Sequence, residues 1–235
     1  MAQPLLFRLI DKAVYDYKLI QNGDKILVAA SGGKDSTALV EYFANRARRP
    51  NEDFSFEAFH VETEITKPLS PALTKIFNSW NVEPVNFHVD VLGRLKEGRK
   101  MNCYWCSTQR RTELIRYAMA NGFNKIALGH HLDDILETLL MNMTEKAQLA
   151  TMPPLLQYKK YPLTIIRPLC YAPESMIIEH AKEHGYISET CTCGYQDKSF
   201  RKETKKYIEL LTGGDAGKKS RMFNSLKNIC PEYLP

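Results

Sequence analysis

The chain of 235 residues predicts an α/β protein with a Rossmann-like parallel sheet and helices on both faces. Three observations carry that expectation. Short apolar runs alternate with amphipathic stretches, the pattern of repeated strand–helix units. One such run, KILVAA, leads through the glycine turn SGGKDS directly into a helical stretch. A later run, NKIALGHH, enters a second helical stretch in the same way.

Composition sets the bounds. Hydrophobic residues at 44% and charged residues at 25% are ordinary for a globular protein. A net charge of +5 tolerates a nucleic-acid partner without requiring one. The N-terminus lacks the apolar core and small-residue cleavage site of a secretory signal, and no run reaches the roughly 18 apolar residues of a membrane span. A cytoplasmic protein without membrane contact is expected. In a reducing compartment its cysteines (Cys103, Cys106, Cys170, Cys191, Cys193 and Cys230) point to metal binding or thiol chemistry more than to structural disulfides.

Leu5 to Ile20 reads as a leading helix inside an N-terminal helical segment, residues 1–24. Residues 25–190 then carry the sheet. Lys25 to Ala30 is a short apolar run of the kind buried in parallel sheets. STALVEYFANRARR has helical periodicity with a basic exit. Ser55 to Glu62 is a second strand, Pro68 to Trp80 a helix, and Val85 to Val91 a third strand. The polar, basic GRLKEGRKMN reads as a surface loop that delivers Cys103 and Cys106 to a helix running to about Asn121. NKIALGHH is the fourth strand and LDDILETLLMNMT its helix. Glu145 to Lys160, with Met152-Pro153-Pro154, reads as an irregular cover. LTIIRPL is a fifth strand, and PESMIIEHAKEHG a helix with Pro near its start and Gly at its end. Residues 191–235 form a cysteine-containing helical tail.

Two adjacent glycines after a strand let the backbone turn tightly and expose N–H groups. A helix starting near Asp35 adds its positive end, Lys34 a mobile charge, and Ser31 and Ser36 their hydroxyls. Ser31, Gly32, Gly33, Lys34, Asp35 and Ser36 thus form an anion cradle that is not of the Walker pattern. In GHHLDDILETLLMN, a helix beginning close to His130 puts His130 near Asp134 and Asp133 near Glu137. Acidic groups at the carboxyl edge of a sheet hold Mg²⁺, position polar substrate groups or cap the helix. Cys103-x-x-Cys106 places two thiolates on a metal or iron–sulfur cluster, or closes a disulfide, and spacing alone does not choose between zinc and iron. CTCGYQ brings Cys191 and Cys193. Cys170 reads as buried, and Cys230 has no assigned role.

SGGKDS resembles the pyrophosphatase loop of the N-type ATP pyrophosphatases, the PP-loop superfamily, in which ATP is cleaved between its α- and β-phosphates and the acceptor is adenylated. The stretch at 129–142 resembles the GHHxDDxxxTLxxN motif of the tRNA 2-thiocytidine synthetase family, matching at Gly129, His130, His131, Asp133, Asp134, Thr138, Leu139 and Asn142. NCYWCSTQRRTEL resembles that family's cysteine pair, with Arg110 and Arg111 on its paired arginines, and CTCGYQ resembles its CxxCGSQ-type segment. With Met152 to Pro154, Ile166 to Leu169 and NICPEYL, the resemblance covers about Lys25 to Leu234. It implies an adenine nucleotide alpha hydrolase-like fold, use of ATP and Mg²⁺, and a [4Fe-4S] cluster on Cys103, Cys106 and Cys193, with Cys191 the neighbouring thiol. Two departures stand out: Glu62 replaces the family's aspartate in NLDQ, and TKPLSP replaces a PGFP-like segment.

The resemblance implies an ATP-dependent tRNA sulfurtransferase that adenylates the C2 oxygen of a cytidine and replaces it with sulfur. Residues 31–36, Glu62, Gly129 and His130 would bind ATP, with Lys34, Asp35, Asp133 and Asp134 as the catalytic candidates. Arg99, Lys100, Arg110 and Arg111, together with Arg94 and Lys96, would meet the tRNA. Tyr104 and Trp105 would stack on a base or pack around the cluster. The partners implied are tRNA, a sulfur donor (sulfide or a cysteine desulfurase) and a second copy in a homodimer. Competing readings are a related enzyme that thiolates uridine or desulfurises or modifies a small heterocycle, and a nonenzymatic iron–sulfur sensor or RNA-binding module.

Overall fold

The computed structural model describes residues 3–66, 68–96, 98, 100–186 and 200–233. Among them the chain runs α1 (Leu5–Tyr17), β1 (Asp24–Ala29), α2 (Lys34–Arg46), β2 (Phe54–Thr63), α3 (Pro71–Ser79), β3 (Val85–Val89), α4 (Cys103–Ala120), β4 (Lys125–Ala127), α5 (Leu132–Lys146), β5 (Leu155–Gln157), β6 (Thr164–Ile166), α6 (Glu174–Glu183), α7 (Phe200–Thr212) and α8 (Ala216–Ser225). Local chemistry sets several starts. Ser70 accepts a hydrogen bond from Leu73 N with Pro71 just inside α3, so that helix begins at Pro71 and not at Pro68. Asn102 caps α4 by accepting from Trp105 N, and Asp215 caps α8 by accepting from Lys218 N.

The strands form one sheet in the order β3-β2-β1-β4-β6-β5. All neighbours are parallel except β5, which runs antiparallel to β6 with Leu156 opposite Ile165. The expected parallel sheet is thus present, with one antiparallel strand added at this edge. Leu155–Gln157 is exposed throughout and sits in the stretch read as irregular cover, so no in–out alternation marks it as a strand.

Alternate strand residues feed two cores. Ile26, Val28, Ala58, Ala127 and Ile166 meet α1, α2, α3, α5 and α6 on one face. Leu27, Phe59, Val61, Ile126 and Ile165 face α4 on the other. From β1 the chain proceeds outward to β2 and β3, then returns through α4 to β4 on the other side of β1. The carboxyl ends of β1 and β4 therefore flank a topological switch point, where open α/β sheets bind ligands. SGGKDS follows β1, and Leu128 to His131 follows β4.

At the opposite edge, buried Lys125 of β4 donates to Asp24 of β1 at 2.6 Å and to Leu19 O at 3.1 Å. Removing the ammonium would strand a buried carboxylate at the junction of the central strands. Lys125→Met should cost about 3 kcal/mol of unfolding free energy in urea titration. A loss of under about 1 kcal/mol would show that Asp24 is solvated there.

Candidate active site

The turn after β1 is built as an anion site. Gly32 adopts a positive φ of 87°, and Gly33 stands before the first helical residue, Lys34. The first-turn N–H groups of α2 lack helical acceptors and point outward from the positive end of the helix. Ser31 Oγ donates to Ser36 Oγ at 3.0 Å, and Ser36 Oγ donates to Gly33 O at 3.0 Å, tying the two ends of the loop together.

Gly129 fixes the loop from the neighbouring strand. A Cβ on it would lie 3.2 Å from Ser36 N and 3.3 Å from the carbonyl carbon of Asp35, so the two segments touch backbone to backbone. Two residues on, His131 caps α5. Its Nδ1 accepts from Asp134 N, and the Asp134 carboxylate accepts from His131 N at 3.1 Å. The helix thus starts at Leu132, two residues later than a start at His130 would give. His131 Nε2 lies 4.0 Å from Asp35 Oδ1 and 3.4 Å from Asp134 Oδ2, joining the two segments' acids. Asp35 Oδ1 is buried and accepts no hydrogen bond. Burial, reinforced by the charge of Asp134, raises the Asp35 carboxyl above its ordinary range against the pull of His131 and Lys34.

Lys34 Nζ sits 3.2 Å from Asp35 and 3.1 Å from Glu174, the first residue of α6. Burial works against its charge, but Asp35 and Glu174 outweigh that and raise its pKa. Burial likewise pushes the Glu174 carboxyl up, yet hydrogen bonds from Lys205 and Lys34 prevail and hold it at about 2. Asp133 is occupied by protein: its Oδ2 accepts from Glu174 N at 2.6 Å and its Oδ1 from Lys219 Nζ at 2.8 Å. Its part in the site is to hold α6 and α8. Asp134 faces Asp35 and lies 3.4 Å from His131 Nε2, while Asp133 Oδ2 lies 3.8 Å from His131 Nδ1. Glu174 and Lys219 were absent from the sequence-based site. Pro173-Glu174 signalled only a helix start, and Lys219 is 86 residues from the acid it meets.

On the other face α4 closes a cleft of about 220 Å³ lined by Ala30, Ser31, Phe59, Arg110, Arg111 and His130, with Val61, Ser107 and Leu114 also on its walls. Cys103, Ser107, Arg110 and Leu114 form one stripe of the helix. Half-buried Cys103 and buried Cys106 occupy its first turn, just before Ser107 on the cleft wall. Trp105 packs into the core and donates Nε1–H to Val91 O at 3.2 Å, which assigns it to packing, whereas Tyr104 is 80% exposed. Arg94 is bound to Glu113 at 2.6 Å, and exposed Lys100 lies just before α4. Arg167, buried at the end of β6, donates to Pro153 O at 2.6 Å and anchors the Met152 to Pro154 segment. Burial and the charge of Arg111 lower its pKa to about 10. Glu62 is half-buried near the end of β2, on the sheet face opposite Phe59 and Val61, and does not line the cleft. Arg99, Cys191 and Cys193 lie outside the described residues.

Fold and site define a PP-loop protein: the family model described as a PP-loop domain matches residues 7–190. A tRNA-cytidine(32) 2-sulfurtransferase 1 of Francisella philomiragia is 34% identical over 230 residues, 96% of this chain and 90% of that one. A tRNA-cytidine(32) 2-sulfurtransferase of Burkholderia mallei is 37% identical over 236 residues, 97% of this chain and 70% of its own. The chain belongs to the tRNA-cytidine(32) 2-sulfurtransferase family. In fold it is similar to the U34-tRNA thiolase NcsA from Methanococcus maripaludis with its [4Fe-4S] cluster, at TM-score 0.78 and 23% identity over 98% of this chain and 80% of that one. The NH3-dependent NAD synthetase from Campylobacter jejuni is a more distant likeness, at TM-score 0.51 and 15% identity over 98% and 97% of the two chains.

Two predictions follow from this geometry. Gly129→Ala should lower ATP affinity roughly tenfold with the melting temperature preserved, because the added methyl displaces the loop backbone. Unchanged ATP binding by calorimetry would dissociate Gly129 from the loop. The depressed Glu174 carboxyl contributes stability fully above its usual 4.5, and that contribution is lost as pH falls toward about 2. Glu174→Gln should therefore flatten the acid limb of a pH series of urea midpoints in that window, and an acid limb identical to the parent's would refute the pairing.

Proposed function

We propose that the chain is an ATP-dependent tRNA sulfurtransferase that replaces the C2 oxygen of cytidine 32 with sulfur. The observation that carries this reading is the single cleft bounded by the anion loop, His130 and the cysteine-bearing helix with Arg110 and Arg111.

ATP lies with its phosphates on residues 31–36 at the carboxyl edge of β1. The cytidine C2 oxygen attacks the α-phosphorus, the α–β bridging bond breaks, and pyrophosphate leaves. Lys34, the hydroxyls of Ser31 and Ser36 and the N–H groups opening α2 offset the charge that develops on it. Adenylation turns the C2 oxygen into a leaving group. A hydrosulfide-level sulfur nucleophile then adds to C2, and AMP departs with that oxygen. Arg110 and Arg111, with Arg99 and Lys100, hold the phosphates of the anticodon loop, and exposed Tyr104 stacks on an unpaired base.

The donor set fits the cofactors. Cys103 and Cys106, one turn apart at the positive end of α4, sit where thiolates are favoured. They would hold a [4Fe-4S] cluster with Cys193 as third ligand and Cys191 beside it. When bound, such a three-thiolate cluster supplies an iron without a protein ligand that can carry sulfur. Asp35, whose buried Oδ1 accepts no hydrogen bond and meets the Lys34 charge at 3.2 Å, would together with Asp134 hold Mg²⁺ once Lys34 turns to the phosphates. Sulfide or a cysteine desulfurase would supply the sulfur, and exposed Leu210 and Leu211 on α7 support a homodimer.

Anaerobic incubation of cluster-reconstituted protein with ATP, Mg²⁺, sulfide and unmodified tRNA should yield 2-thiocytidine by nucleoside mass spectrometry. Lys34→Ala should cut the rate roughly 10²-fold, and Cys193→Ala should abolish product while Cys191→Ala retains it. Thiolated uridine would move the substrate, and no thiolated base from protein holding cluster and ATP would sink the reading.

A further inference from the structure

We propose a transition-metal site at Glu41, His180 and His184, separate from the ATP cleft and independent of the reaction assigned above. Glu41, on α2, is 4% exposed, a burial that a carboxylate tolerates only with strong compensation. Its compensation comes from one helix. Glu41 Oε2 meets His180 Nε2 at 2.8 Å, and Glu41 Oε1 meets His184 Nδ1 at 2.9 Å. The two imidazoles stack with centroids 4.0 Å apart, one turn apart along α6 and its C-cap. Phe7 and Tyr186 flank them, with ring centroids 5.3 Å and 5.9 Å from that of His180.

The three donor atoms lie within 4.8 Å of one another. Two imidazole nitrogens at helical i, i+4 spacing facing the two oxygens of one carboxylate suit Zn²⁺, Co²⁺, Ni²⁺ or Cu²⁺, whereas Mg²⁺ and Ca²⁺ favour all-oxygen sets. A fourth position is open to solvent. His184 is 35% exposed, and a cavity of about 550 Å³ lined by Gln3, Phe7, Asn45 and Arg49 reaches Glu41 and His184. Arg49 does not oppose the cation with a bare charge, because Asp11 holds it at 2.9 Å.

The site would brace two helices that matter to the anion loop. Glu41 lies about two turns along α2 from Lys34, roughly 10 Å, and His180 roughly 9 Å along α6 from Glu174. Lys34 and Glu174 already join the two helix starts at 3.1 Å. The metal would join the same helices further down and fix their relative position.

The test is a titration of the full-length, metal-stripped chain with Co²⁺, followed in the visible and near-ultraviolet. The expected result includes one equivalent that adds d–d bands without thiolate-to-cobalt charge transfer, whereas any Co²⁺ taken up by the cysteines announces itself by that charge transfer. His184→Ala, chosen because that ring is partly exposed and His180 still pairs with Glu41, should weaken this equivalent at least tenfold in protein that circular dichroism shows to be folded. Glu41→Gln, which keeps the shape of the side chain, should weaken it as well. Zn²⁺ should raise the melting temperature of the parent and not of His184→Ala. The proposal falls if Co²⁺ binds only with charge-transfer bands, if His184→Ala binds as tightly as the parent, or if no binding occurs below millimolar Co²⁺. Glu41 would then be a buried carboxylate neutralised by two imidazoles and nothing more.

Discussion

The carboxylate of Asp133 joins three helices, and the geometry of the anion loop depends on it. One oxygen takes the Glu174 N–H that opens α6, and the other takes Lys219 from α8. The first contact satisfies an N–H that α6 itself leaves without an acceptor, and it places a negative charge at the positive end of the helix dipole. That placement fixes Glu174, which in turn reaches Lys34. The lysine that would meet ATP phosphates is therefore positioned by a run of opposite charges ending in the C-terminal helices. Ile208 of α7 and Phe223 of α8 join the larger core, so apolar packing holds the far end of that run in place.

Lys34 stands between two carboxylates, which bears on how it changes partners. A half-buried ion pair of this kind is worth about 1 kcal/mol or less once solvent screening is included. A triphosphate carries more charge than Asp35 and Glu174 together and approaches the same ammonium through a loop of N–H donors. The exchange is favourable without any rearrangement of the fold. The carboxylates keep the ammonium charged and extended in the meantime, since Glu174 stays ionised far below neutral pH. Pre-positioning of this sort lowers the reorganisation needed when charge develops on the leaving pyrophosphate.

Periodicity and turn chemistry made most of the architecture legible. The apolar runs became strands, and the glycine pair after KILVAA became the tight turn with Gly32 at positive φ. The cysteine pair did land on the first turn of a helix. Local sequence could not disclose what depends on contacts across the fold. The edge strand β5 has only exposed residues and takes its identity from its hydrogen bonds to β6. Asp133 looked like a ligand because it sits in an acidic pair, and only the arrival of Lys219 and Glu174 gives it a structural task. Glu62 was placed by matching a motif, whereas strand alternation turns it away from the cleft.

Topology explains why the cysteine-bearing helix and the anion loop border one cleft. The chain moves one way across the sheet from β1 to β3 and must reverse to reach β4. Right-handed connection then puts α4 on the face opposite α2 and α3. Cys103 and Cys106 thus approach from one side of the sheet and the opening turn of α2 from the other, and they converge only at the carboxyl edge. A base entering beside α4 would pass Tyr104 and the cysteines before it reached the α-phosphate. The nucleotide, seated at the strand ends, would already be shielded from water by the apolar walls of Phe59, Val61 and Leu114. This order of approach suits a reaction in which an adenylated base must meet sulfur before it meets water.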